Sequence, residues 1–146
     1  MARVTLFVFV LQVLYVYIEA QPALDGTWTV VNDNGTYQIP GRVPGGIYTD
    51  LSAAGIITEN IYYCFNDLNY CWVSLENWTY YRLFDVPEYL LQMKYVYLTF
   101  YGIDTIASIY INEQHVTDTD NMFVKYSISI KEYVQQNGSN LLEVKF

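Results

Sequence analysis

From Trp28 onward, apolar and polar residues alternate in short runs with a period of two, the spacing of strands that bury one face. "WTVV" (28–31) and "TYQI" (36–39) flank "NDNG" (32–35). Asn34-Gly35 between two β-prone runs predicts a hairpin, because both residues tolerate positive φ. Further strand-like runs are "IYYCF" (61–65), "WTYYRLFDV" (78–86), "YVYLTFYG" (95–102), "IASIYIN" (106–112), "FVKYSISI" (123–130) and "LLEVKF" (141–146). "PGRVPGG" (40–46) reads as a loop. "TDLSAAGII" (49–57) predicts one short helix, capped at Thr49 or Asp50 and ended by Gly55. "KEYVQQNG" (131–138) reads as a helical turn ending at Gly138. Short strands at this spacing predict an all-β, antiparallel sandwich with one or two short helices. No repeat, low-complexity stretch or linker divides it, so one domain is expected.

The segment "NDLNYCWVSLENWTYYRLF" (66–84) crowds Tyr70, Trp72, Trp78, Tyr80, Tyr81 and Phe84 into a short stretch. The rings could form a sugar-stacking platform or the inside of the sandwich. Period two separates Asn77, Thr79, Tyr81, Leu83 and Asp85 from Trp78, Tyr80, Arg82, Phe84 and Val86. In 95–101 it separates Val96, Leu98 and Phe100 from Tyr95, Tyr97, Thr99 and Tyr101. The second reading accounts for most rings: one set fills a core about 10 Å thick, and the tyrosines line its wetter face.

The chain's first residues are a separate object. Arg3 precedes the uncharged apolar run "VTLFVFVLQVLYVYI" (4–18), and Ala20 offers a small residue for cleavage. Residues 1–20 read as a signal peptide and 21–146 as the mature domain. The alternative is an N-terminal anchor, for which the run is short. Entry to the secretory pathway fits three N-x-[ST] acceptors at Asn34, Asn77 and Asn137. Any glycan requires its asparagine to face solvent, so the face of Asn77 should point outward. In an oxidising compartment Cys64 and Cys71 are a candidate disulfide, worth roughly 2–3 kcal/mol if unstrained; two free thiols is the other reading.

The formal net charge is −8 and the seven basic residues are scattered. That disfavours nucleic acid and anionic membrane surfaces as partners. The one histidine, His115, reads as an exposed loop residue. No phosphate loop or nucleophile elbow is present, and no cofactor is expected. The two cysteines and His115 are too few for a metal site. A glycosidase needs two carboxyl groups across a sugar ring, and Asp67, Glu76, Asp85, Glu88, Asp104, Asp118 and Asp120 show no such context. "DTDN" (118–121) reads as a solvated turn rather than a calcium loop.

Taken in order, "LDGTWTV" (24–30), "PGRVPGGIYTDLSAAGII" (40–57), "FNDLNYCWVSLENWTYYRLFDVP" (65–87), "LTFYGIDTIASIYINE" (98–113) and "DTDNMFVKYSISI" (118–130) resemble the N-terminal domain of β-mannosidases in glycoside hydrolase family 2. The resemblance implies a galactose-binding-like jelly roll that packs against an immunoglobulin-like domain and a catalytic (β/α)₈ barrel. In that family the barrel carries both catalytic glutamates and releases terminal β-linked mannose with retention. A Trp-Asp-Trp-Gly segment of the family's sandwich would fall beyond Phe146. No catalytic, substrate-binding or metal residue of the family therefore maps onto this chain. Cys64 and Cys71 depart together from the family pattern, which favours a local disulfide. Tyr48 stands in place of a frequent histidine, and Glu113 in place of the glycine usual after Asn112.

The resemblance predicts a C-terminally incomplete β-mannosidase domain, inactive alone, with an exposed strand edge. Its partners would be the barrel and immunoglobulin-like domains, and through them mannose-containing glycans. Its place would be the lysosome or the exterior, with no membrane contact after signal cleavage. Two other readings stay open: a secreted carbohydrate-binding sandwich, and a structural domain that docks another chain.

Overall fold

The computed structural model describes residues 22–136 and 138–146. The expected signal peptide and Asn137 lie outside them. Eight strands form two antiparallel sheets: β1 (Gly26–Asn32), β2 (Gln38–Val43), β3 (Trp78–Phe84), β4 (Tyr97–Phe100), β5 (Ala107–Ile111), β6 (Gln114–Thr119), β7 (Tyr126–Ser129) and β8 (Asn140–Lys145). The large sheet has six strands in the order β2-β1-β3-β8-β5-β6, and the small one pairs β4 with β7. Three short helices complete the described elements: α1 (Ile47–Ala53), α2 (Asn66–Asn69) and α3 (Glu88–Leu91), with a 3-10 helix at Cys71–Leu75. The chain is thus the mostly-β antiparallel sandwich that the alternation predicts.

The alternation also assigns the faces. On β3, Trp78, Tyr80 and Phe84 are buried while Thr79 and Tyr81 are half-exposed. Trp28, Val30, Ile109, Ile111, Leu142 and Val144 join them in one core, closed from the other side by Val96 and Ile130. Full burial of an Ile109 or Leu142 side chain stabilises by about 1.5–3 kcal/mol relative to exposure. Five of the six rings of 66–84, all but Tyr81, belong to this interior or pack on it. Trp78 donates its indole N–H to the Val73 carbonyl at 2.9 Å. Tyr37 stacks on Trp72 at 5.4 Å between centroids and on Trp78 at 6.3 Å.

Several boundaries differ from expectation. Residues 40–43, read as loop, continue β2. The Arg42 N–H donates to the Asp50 carboxylate at 3.1 Å and so points away from β1. Pro40 shares that parity, and its missing N–H removes no ladder bond. The predicted helix at 49–57 runs from Ile47 to Ala53, and Asp50 turns to β2 instead of capping it. Gly55 does terminate it, at φ 73 with its N–H on the Ser52 carbonyl.

Residues 61–65 are not a strand. Asn60 folds them into turns by accepting the Tyr62 N–H, and Asn66 returns a bond to the Asn60 carbonyl. Residues 131–134 form a turn in which the Ile130 carbonyl accepts two N–H groups. His115 and Asp118 lie on β6, not in a loop, because Asn112 and Glu113 make the turn themselves at φ 51 and 67.

Candidate functional sites

The carboxylate of Asp50 is the most enclosed charged group among the described residues. Its Oδ1 accepts the Arg42 N–H, and its Oδ2 accepts the Tyr80 hydroxyl at 2.7 Å. Burial first, then the Asp50 hydrogen bond and charge, push the Tyr80 phenol far above its ordinary range. The pair ties α1 and β2 to the centre of the large sheet. Reading Asp50 as a cap hid this role, since no local pattern pairs residues thirty positions apart.

A second polar group lies on the solvent side of β5 and β6. Asp118 Oδ1 accepts the Ser108 hydroxyl at 2.7 Å and meets His115 Nε2 at 2.9 Å. The His115 and Ser108 hydrogen bonds hold the Asp118 carboxyl below its ordinary range. That direction suits an ionised hydrogen-bond acceptor and opposes general-acid work, which needs a raised carboxyl. Ser108 donates to the carboxylate and not to the imidazole, so the trio lacks the order of a nucleophilic triad. Asp120 and Asn121 are turned elsewhere: their N–H groups donate to the Tyr126 hydroxyl at 3.1 and 3.0 Å. Among the described residues no three metal-ligating side chains converge.

A shallow groove on the outer face of the large sheet is lined by Val31, Asn32, Asp33, Thr79, Tyr81 and Glu143, among others. Its two carboxylates are both engaged. Asp33 accepts the Asn77 amide at 2.7 Å, and Glu143 pairs with Lys145 at 3.2 Å. Asn34 is exposed at the hairpin tip, its Oδ1 accepting from Asn32 Nδ2 and the Thr36 N–H. Asn77 is exposed too, but the nitrogen that would carry a glycan is the one bonded to Asp33.

Cys64 and Cys71 carry free, exposed thiols, and the bridge expected between them is not made. Cys64 stands in the left-handed region at φ 50, Cys71 opens the 3-10 helix, and α2 lies between them. The other carboxylates singled out from the sequence, Asp67, Glu76, Asp85, Glu88 and Asp104, are spread over helices and loops. Tyr48 reaches the Tyr70 carbonyl at 3.4 Å.

Large side chains do face solvent elsewhere. On the small sheet Tyr95, Tyr97 and Tyr101 are 58%, 57% and 83% exposed. Tyr95 and Tyr97 lie 6.3 Å apart with planes 34° from parallel, and Lys94 and Lys125 sit over the Tyr95 and Tyr101 rings. Such a surface can stack or dock a partner.

Residues 28–146 match the family profile described as glycosyl hydrolase 2 galactose-binding domain-like. Among curated relatives, the β-mannosidase of Mus musculus is 42% identical over 123 residues, which is 84% of this chain and 14% of that protein. Among solved structures, a β-D-mannosidase of Dictyoglomus thermophilum superposes at a TM-score of 0.79 with 34% identity, over 84% of this chain and 15% of that one. A β-D-glucuronidase of the same organism superposes at 0.61 with 19% identity, over 84% of this chain and 18% of that one, a likeness of fold alone. The chain therefore spans about a seventh of the length of the mannosidases it matches.

Proposed function

The chain belongs to the galactose-binding-like domains of glycosyl hydrolase family 2, and from that membership we propose that it serves as the non-catalytic sandwich of a β-mannosidase. One observation carries the reading. Identity reaches 42% and 34% with two β-mannosidases and falls to 19% with a β-glucuronidase of the same fold. The chemistry agrees with it. His115 and Ser108 hold the Asp118 carboxyl below its ordinary range, while Asp50 is engaged by a phenol and a backbone N–H. Hydrolysis of terminal β-linked mannose then belongs to a barrel on the same polypeptide or on a partner, and this domain supports it. The localisation that goes with the reading is the secretory pathway, ending in the lysosome or outside the cell.

The test is hydrolysis of a chromogenic β-mannoside. The purified chain alone is expected to release nothing above the solvent rate. Added to a barrel-bearing β-mannosidase stripped of its own sandwich, it is expected to restore stability and turnover. Release by the chain alone, abolished by a single carboxylate substitution, would overturn the assignment.

A second reading, a carbohydrate-binding sandwich, is favoured by the exposed Tyr95 and Tyr97 pair. Trp28 and Trp78 are buried and Trp72 packs half-buried against Tyr37 and Trp78, so tryptophan fluorescence is a poor reporter of a ligand on the tyrosine face. Calorimetric titration with β-mannosides is the suitable readout, and heat lost in Tyr97→Ala would support this second reading over the first.

A further inference from the structure

An antiparallel sheet that lays one face on the core turns the other to water, where its side chains are free to meet a ligand. On the outer face of the large sheet, Val31 of β1 stands beside Thr79 of β3, and Tyr81 stands between Thr29 of β1 and Glu143 of β8. Val31, Thr79, Tyr81 and Glu143 are half-buried and line the groove described above, which holds about 390 Å³. Its walls are fixed. Gln38 Nε2 donates to the Tyr81 hydroxyl at 3.2 Å, and Lys145 holds Glu143 at 3.2 Å. An aromatic ring, a valine, a hydroxyl and carboxylates together suit a pyranose, which has C–H faces and a rim of hydroxyls.

Asn77 stands at one end of this groove. It immediately precedes β3 and shares the outward parity of Thr79 and Tyr81. Its carbonyl accepts the Asp33 N–H at 3.3 Å, and its Nδ2 donates to Asp33 Oδ2 at 2.7 Å. Asp33 lines the groove, so the Asn77 amide lies at the groove's edge. A primary amide carries two hydrogens, and Asp33 takes one. Asn77-Trp78-Thr79 is also a glycan acceptor. Transfer from a lipid-linked pyrophosphate donor joins Nδ2 to the sugar's C1, expels the pyrophosphate and releases one proton. The N–H that remains still serves Asp33, which then aims the attached sugar.

We propose that the groove is the seat of the chain's own glycan. The two N-acetylglucosamine residues that begin an N-glycan on Asn77 lie along β3, the first over Val31 and Thr79 and the second over Tyr81. Asn77 and Tyr81 are about 13 Å apart along the strand, the reach of an asparagine-linked disaccharide. The acetyl methyl of the first sugar meets Val31, the C–H face of the second meets the Tyr81 ring, and Glu143 accepts from a sugar hydroxyl. The tether makes the contact intramolecular, so a contact too weak to hold a free sugar still fills the groove. Asn34 is set differently: it lies at the hairpin tip, off the outward row of β3, with Oδ1 turned back to Asn32 and Thr36. The proposal rests on the secretory part of the functional reading and not on the β-mannosidase assignment.

The full chain, expressed in a eukaryotic cell and recovered from its secretory pathway, tests it. Mass spectrometry is expected to find a glycan on Asn77. Thr36→Ala and Ser139→Ala remove the other two acceptor sites without touching an asparagine. In that background an endoglycosidase that cuts between the two N-acetylglucosamines removes the second sugar and leaves Asn77 and its Asp33 bond intact. Trimming is expected to lower the thermal midpoint by about 3 °C, and Tyr81→Ala is expected to abolish the difference. Nuclear Overhauser contacts between the Tyr81 ring and sugar protons, expected in the untrimmed chain, decide the matter if Tyr81→Ala does not fold. A glycan on Asn77 that shows no such contact, and whose trimming costs the same with and without Tyr81→Ala, overturns the proposal alone. A bare Asn77 beside a glycosylated Asn34 overturns it and leaves the secretory reading standing. A chain that carries no glycan at all overturns both.

Discussion

Glu113 occupies the second position of the tight turn between β5 and β6 at φ 67, a region that costs a residue with a Cβ about 1–2 kcal/mol. Glu113→Gly is therefore expected to stabilise the fold by about 1 kcal/mol, read as a higher urea midpoint at unchanged slope. The resemblance, which leads one to expect glycine after Asn112, was the signal in the sequence; what the sequence hid is that the turn forms anyway. Tyr80 gives a pH-dependent case. Its phenol is held neutral in the fold and is pushed far above its ordinary 10.0 by burial and by Asp50. A group whose folded pKa is raised contributes stability below the unfolded pKa and loses it as pH climbs. The chain should accordingly lose about 1.4 kcal/mol per pH unit above pH 10 through this residue. Tyr80→Phe is expected to remove that slope in denaturation at alkaline pH. At neutral pH the same substitution leaves Asp50 Oδ2 without its donor, at a cost of about 1–3 kcal/mol.

At the scale of elements, β1 and β2 meet α1 at Gly41. A Cβ there would lie 2.3 Å from Val30 Cγ2, 3.0 Å from Asp50 Oδ2 and 3.1 Å from Tyr80 Cε1. Gly41→Ala is expected to destabilise by about 1–3 kcal/mol, measured by thermal unfolding, because all three neighbours are already fixed by packing or hydrogen bonds. Period two made the faces of β1, β3 and β5 readable, since each has one side in the core. It failed where burial did not set the pattern. Tyr62, Tyr63 and Phe65 have strand composition yet stay exposed in turns governed by Asn60. Pro40 and Gly41 look like loop residues yet fit an edge strand beside a helix. The polar sites were less legible still. Asp50–Tyr80 and Asn77–Asp33 join residues distant in sequence, and only the sheet order brings them together.

The whole molecule is acidic, with a pI near 4.3. Repulsion between copies falls as carboxylates protonate, so light scattering is expected to show stronger association at pH 5 than at pH 8. The strand order carries another consequence. β8, residues 140–145, lies in the middle of the large sheet, between β3 and β5. Without it the sheet divides into β2-β1-β3 and β5-β6, and Leu142 and Val144 are missing from the core. During synthesis the two halves therefore wait, unjoined, until the residues near 145 leave the ribosome. Nascent chains stalled earlier should be cut readily by protease, and those extended well past that point should resist. Assembly of this sandwich is thus governed by its slowest long-range pairing, and it leaves apolar strands in need of a chaperone for most of the time they are being made.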